Sequence, residues 1–267
     1  MSDSLSVVYV YGIAPADIRG AEAPTGLDNE PVFVIRDGDV AALVTHLDGK
    51  LYSRERIETH VGEVGWLGPR AIAHDAVVTW ASEQGGVIPL PAFTMFSDED
   101  GVRTMLRERG TRFARTLAHV AKGHEYGVRV FRIDDVLTRH LAELSPRIAE
   151  IEREALQAPP GQRYLLERKA EGERKAELRG AAADVARASY DALAQHAIGA
   201  EQGALPRQEL EGVVGVAVLN AYFLVGRDSL EPFRERLTKL AERHEQVGFR
   251  FEFSGPWPPY HFVQESE

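Results

Sequence analysis

The chain contains no cysteine. That excludes disulfides, thiolate metal sites and a cysteine nucleophile, and it suits a reducing compartment. An excess of basic residues is also missing. Against 31 Lys and Arg stand 41 Asp and Glu, a formal net charge of −10, where a nucleic-acid binder ordinarily carries the opposite sign. Long hydrophobic runs are absent too. The longest, around residues 212–225, is interrupted by glycines and Asn220 and is too short for a membrane span. The start, Met1-Ser2-Asp3-Ser4, lacks the basic and apolar regions of a signal peptide. Neither nucleic acid nor membrane is expected as a partner, and a cytoplasmic location is.

Motifs that carry chemistry are lacking in the same way. There is no P-loop, no G-x-G-x-x-G, no G-x-S-x-G elbow and no H-E-x-x-H. His60 and His74 fall on neighbouring helical segments with Asp75 beside the second, but their spacing matches no ligand pattern, so they read as helix-surface histidines. His119 and His124 flank a helix end, where a cation suits the dipole. Glu143, Glu150 and Glu154 lie in an arginine-rich helical segment, the pattern of solvated ion pairs. No catalytic residue, metal ligand or cofactor is assigned, and the expectation is a non-enzymatic protein.

What is present reads as α+β. A chain of 267 residues exceeds what one typical core needs and can bury enough surface without a metal or disulfide. Two domains are expected. Residues 5–13 form a strand with Val8, Val10 and Gly12 on one face and Val7, Tyr9, Tyr11 and Ile13 on the other, so a central one. Residues 14–30 form a loop. Strands at 32–36 and 40–45 are joined by Asp37-Gly38, a strong hairpin signal. Ser53 caps a helix whose Ile57, Val61 and Val64 share a face; Gly65, Gly68 and Pro69 break it. The next helix, about 70–84, presents Ile72, Ala76 and Trp80 on its apolar face and stops at Gly85-Gly86. Residues 87–96 hold Pro89 and Pro91 and form an edge or irregular strand. Residues 97–100 then cap a helix with Val102, Leu106, Phe113 and Leu117 as its stripe. This closes a first domain at residues 1–122.

The second domain, 123–254, opens with a strand at 126–133. A helical hairpin follows over 134–198. Pro146 either kinks its first arm or starts a new helix after Ser145, and Pro159-Pro160-Gly161 turns the chain. Residues 213–219 and 221–225 are the next paired strands, with their break left open. A helix at 230–246 buries Phe233, Leu237 and Leu240, and residues 249–253 are the last strand, with Phe249, Phe251 and Phe253 alternating. The order β-α-(α)-β-β-α-β matches a modified ferredoxin-like fold (βαββαβ) with an enlarged helical insertion.

Residues 255–267 form a tail carrying Gly255-Pro256-Trp257-Pro258-Pro259-Tyr260. Gly255 frees the backbone, Pro256 ends the ladder, and the prolines keep the segment stiff. Full burial of Trp257, Tyr260 and Phe262 would contribute ~11–19 kcal/mol as a gross upper bound. Ordering the segment costs ~7–14 kcal/mol, and the prolines reduce that by restricting the unfolded chain. A tail docked on its own protein is expected, with these six residues as its structural motif and His261 bonding the body.

That six-residue motif after a C-terminal strand resembles the signature of the gas vesicle protein F/L family. Other segments are similar to the family as well: Tyr9-Val10-Tyr11-Gly12, His74-Asp75-Ala76-Val77-Val78, Val87-Ile88-Pro89-Leu90 with Phe93 and Phe96, Glu125-Tyr126-Gly127-Val128-Arg129-Val130, Tyr164-Leu165-Leu166 with Arg168 and Lys169, and Asn220-Ala221-Tyr222-Phe223-Leu224-Val225. One departure stands out. Where the family has an arginine and a glycine in a Pro-x-Arg-Phe-Gly part, this chain has Pro91-Ala92-Phe93-Thr94. The resemblance implies a non-enzymatic accessory protein of gas vesicle formation, in the cytoplasm or on the vesicle. Its implied partners are the hydrophobic shell protein and other minor vesicle proteins. A minor structural component of the shell and a small-molecule-binding regulator remain as alternatives. The sequence sets no oligomeric state.

Overall fold

The computed structural model describes residues 6–206 and 215–263. The protein is α+β with two antiparallel sheets. It divides into two compact units, one made of residues 1–125 and 256–267 and the other of residues 126–255.

The first unit is built on β1 (Ser6–Pro15), β2 (Phe33–Asp37), β3 (Val40–Asp48), α1 (Arg54–His60), α2 (Val64–Glu83), β4 (Ile88–Pro89), β5 (Met95–Phe96) and α3 (Glu99–Val120). The sheet order is β2-β3-β1-β4, with β5 also paired to β1. β1 is the central strand, and apolar residues on both its faces are the reason. Tyr9, Tyr11 and Ala14 enter one core with Val77, Val78 and Ala81 of α2. Val8, Val10 and Ile13 enter the other with Val102, Leu106, Phe113 and Leu117 of α3. Strict alternation assigns Ile13 to the Tyr9 face. The register shifts between Val10 and Gly12, and this bulge flips the parity, so Ile13 joins Val8 and Val10. Gly12 fits the bulge because a Cβ there would meet the Ile88 carbonyl at 2.8 Å.

The hairpin forms with Asp37 paired to Val40. Its tip is therefore Gly38-Asp39, one residue beyond the Asp37-Gly38 expected, and Gly38 supplies the positive φ of 59°. The proline-bearing stretch 87–96 is irregular: two short strands, β4 and β5, each pair with β1. Asp98 caps α3 by accepting the Gly101 N–H at 2.8 Å.

Two expectations about α1 and α2 are corrected. Ser53 does cap α1, but none of α1's residues is buried. α2 is not broken at Gly65, Gly68 or Pro69; it runs through them. Pro69 sits near the helix start, and the ring's usual clash is with the carbonyl four residues back, here that of Gly65. The buried residues of α2 are His74, Val77, Val78 and Ala81. Of the expected inner face, Ile72 is 72% exposed and Ala76 is exposed, while Trp80 is half-buried against the Tyr9 core; Val64, expected on the preceding helix, is 85% exposed. α2 carries apolar residues on both sides, so its periodicity does not choose a face. The aromatic-lined surface of β1 does.

β6 (Gly123–Arg132) leads into the second unit, which continues through α4 (Asp134–Arg139), α5 (Leu141–Leu144), α6 (Pro146–Gln157), α7 (Pro160–Ala194), β7 (Gly199–Gln202), β8 (Val216–Gly226), α8 (Leu230–Glu245) and β9 (Phe249–Trp257). The sheet order is β7-β8-β6-β9. Its core joins Val128 and Val130 of β6, Phe223 and Val225 of β8, and Phe233 and Leu240 of α8. Pro146 starts a new helix. Ser145 caps it by accepting the Ile148 N–H at 3.2 Å and donates to Glu177 of α7 at 2.7 Å. α6 and α7 form the hairpin, with Arg147–Glu173 at 2.8 Å across it.

The strands expected at 213–219 and 221–225 are, over the described residues, one continuous strand, β8; residues 213 and 214 lie outside the described residues. Asn220 does not interrupt it because its amide donates to the Ala204 carbonyl at 2.9 Å. β8 pairs with β6 on one side and on the other with β7, which no strand expectation covered.

The face of α2 is open to a direct check. Val77→Ala removes two buried methyls and should cost about 1.5–3 kcal/mol in urea unfolding. Ile72→Ala should stay within about 0.5 kcal/mol of the parent. The reverse order would restore the face read from periodicity.

Candidate functional site

The C-terminal segment returns to the first unit and docks there. β9 does not stop at Phe253 or end at Pro256 but runs to Trp257. It lies at the edge of its sheet, where a residue without an N–H is tolerated, and Gly255 takes a φ of 113° that a side chain would strain. Beyond it the chain turns tightly. Tyr260 N–H donates to the Pro258 carbonyl at 2.8 Å and Phe262 N–H to that of Pro259 at 3.2 Å.

The residues that anchor this segment differ from those expected. Pro258 and Pro259 are the buried members of the motif. Trp257 stays 47% exposed and Tyr260 36% exposed, so full aromatic burial overstates the apolar gain. Polar anchors supply the rest. Tyr260 donates its hydroxyl proton to Asp75 Oδ1 at 3.0 Å. Burial raises the Tyr260 phenol, and the hydrogen bond to Asp75 raises it further. His261 donates its backbone N–H to Glu125 Oε2 at 2.9 Å, and its ring Nδ1 lies 2.7 Å from Oε1. Val263 packs against the core that α3 shares with β1.

In the sequence Glu125 reads only as part of a strand motif; in the structure it is the centre of the dock. It is 1% exposed, at the end of the first unit's N-terminal portion. Burial raises its pKa above the ordinary carboxylate value, and the backbone and ring bonds from His261 pull it partly back. Glu125 is the only carboxylate in β6, and that is the one sequence signal that could have marked it.

His74 is a second correction. It is buried rather than on the helix surface. Its Nδ1 meets the Tyr9 hydroxyl at 2.7 Å, and the same hydroxyl accepts the Phe93 N–H at 3.3 Å. Burial lowers the imidazole pKa, partly opposed by Asp75, and raises the Tyr9 phenol to about 12. Phe93 takes a φ of 65° and stacks on Trp66 at 5.4 Å. That backbone region ordinarily favours glycine. His60 is apart from this cluster, bonded to Glu63 at 3.1 Å. Among the described residues no group of three His, Asp or Glu is placed to hold a metal ion.

The dock gives two expectations. Tyr260→Phe should cost about 0.5–1.5 kcal/mol, and His261→Ala more, because it withdraws the ring from a buried carboxylate. Urea unfolding of both variants would reverse this if Glu125 were not the main anchor. The pH dependence has a definite sign. A carboxyl whose folded pKa is raised contributes most below its unfolded value of 4.5, and that contribution is lost as pH rises through the folded pKa. Glu125→Gln removes this loss. The stability of the variant relative to the parent should therefore rise as pH increases above 4.5. A difference that is flat with pH would show that Glu125 does not titrate as its burial requires.

The model of the family described as gas vesicle synthesis protein GvpL/GvpF matches residues 7–264. Gas vesicle protein L of Streptomyces sp. (strain CB03234) is 30% identical over 97% of this chain and 93% of its own. Gas vesicle protein L1 of Halobacterium salinarum is 26% identical over 90% of this chain and 84% of its own. The crystal structure of GvpF from Anabaena sp. PCC7120 superposes with a TM-score of 0.71 over 98% of this chain and 100% of that one, at 18% identity. The docked tail, the two sheets and the sequence match converge: the chain belongs to the GvpL/GvpF family of gas vesicle synthesis proteins.

Proposed function

We propose that this protein is a non-enzymatic accessory factor of gas vesicle formation that binds the hydrophobic shell protein, other minor vesicle proteins, or both, during assembly. The family match over residues 7–264 carries the reading. The physical logic supports it. A shell subunit facing gas must carry a large apolar face, which before assembly is an aggregation hazard. A protein with a net charge of −10 that offers an apolar surface of its own can cover that face and keep the pair dispersed. The outer side of α2, with Val64 and Ile72 exposed, is such a surface. Among the described residues no helix is long and apolar enough to cross a membrane. The work takes place in the cytoplasm or at the vesicle.

The two units are read as two domains, 1–122 and 123–254, followed by the tail 255–267. The second is read as ferredoxin-like, which its strand order β7-β8-β6-β9 and the helices within it support. Gly255, Pro256, Trp257, Pro258, Pro259 and Tyr260 serve as a structural motif that holds the tail, not as a catalytic site. The second reading, a minor component built into the shell, rests on the same family match.

Capture of the shell protein, set against an unrelated hydrophobic protein, tests the proposal. We expect selective capture, and Ile72→Glu should weaken it about tenfold or more without lowering thermal stability. Equal capture of both proteins by the parent would defeat the assembly-factor reading. Retention in washed, intact vesicles would favour the structural component.

A further inference from the structure

A cavity of about 530 Å³ lies within the first unit, between α3 and the segment around β4. Its size is that of small-molecule pockets, which run from ~300 to ~1,000 Å³. Ile88, Leu90 and Phe113 form its apolar wall. Arg109 and Thr116 face it from one stripe of α3, Arg112 adds a second guanidinium, and among the described residues no carboxylate lines it. Arg109 has no ion-pair partner among the described residues.

His74 completes the set. The Tyr9 hydroxyl accepts the Phe93 N–H and so has its own proton to give to His74 Nδ1. Assigned from these bonds, the neutral ring carries its proton on Nε2. That nitrogen has no hydrogen-bond partner among the described residues, although His74 is only 6% exposed and lines the cavity. An N–H that lines the cavity without a protein partner, beside an arginine and a hydroxyl, favours an acceptor there.

We propose that this cavity binds a small organic anion, a monocarboxylate with an aliphatic body, its carboxylate held by His74 Nε2–H and Arg109 and its chain against Ile88, Leu90 and Phe113. The donors specify a negative acceptor, and the apolar wall specifies more than a bare ion. This is a small-molecule site separate from the shell-protein contact proposed above, so either can fail without the other.

Hexanoate is a suitable probe on the full chain, with 1-hexanol and inorganic phosphate as the comparison arms. Its few heavy atoms limit the expected Kd to the order of 1 mM. Titration should saturably shift the His74 ring resonances in NMR, and Arg109→Gln should weaken binding about tenfold. Arg109 is exposed, so that variant keeps the fold. Absence of a saturable His74 shift would overturn the proposal. So would an equal response to 1-hexanol, equally tight binding of phosphate, or unchanged affinity in Arg109→Gln.

Discussion

The structure depends on one buried carboxylate. Glu125 ends the N-terminal portion of the first unit, and its partner His261 lies 136 residues further on. Everything between 126 and 255 is a separate compact unit inserted into the chain of the first. The bonds from His261 to Glu125 therefore close that insertion at its base. Leaving this buried carboxyl without a partner costs more than the hydrogen bonds gain. The tail is thus held by a penalty for leaving as much as by attraction. Prolines at 258 and 259 assist, since a stiff segment has less freedom to recover on release.

The same logic separates what was legible in the sequence from what was not. β1 declared itself because Tyr and Val occupy both of its faces, which only a covered strand allows. α3 declared itself through one clean stripe, Val102, Leu106, Phe113 and Leu117, all buried. The α6–α7 hairpin was marked by prolines at its ends. The family was legible in short motifs spread along the chain. Local signals sufficed wherever a residue's neighbours in sequence were also its partners.

Legibility failed where the partner was distant. α2 has apolar residues around much of its circumference, and its orientation is set by Tyr9 and Tyr11 on a strand about sixty residues earlier, not by its own period. Ile13 changed faces because of one extra residue at a bulge. The tail motif points to its aromatics, because tryptophan and tyrosine carry the largest apolar areas. Its hold comes from Asp75 and Glu125 instead, and neither is near it in the chain. β7 was missed because four residues of mixed polarity, Gly199–Gln202, carry no alternation of their own and pair only because β8 offers an edge.

These distant constraints meet in one region. His74 and Asp75 are consecutive on α2, and they face different tasks: His74 turns inward to Tyr9, while Asp75 receives Tyr260 from the tail. Tyr9 links His74 to Phe93, whose backbone is left-handed. Phe93 keeps that conformation while stacking on Trp66 and packing edge-on to Tyr9 at 6.3 Å. The contacts hold the backbone where glycine would go unaided. The exposed side of α2 is then fixed by default. Once His74, Val77 and Ala81 are drawn to β1, Ile72 and Val64 have nowhere to go but out. The exposure of these two side chains follows from the aromatic demands of the central strand.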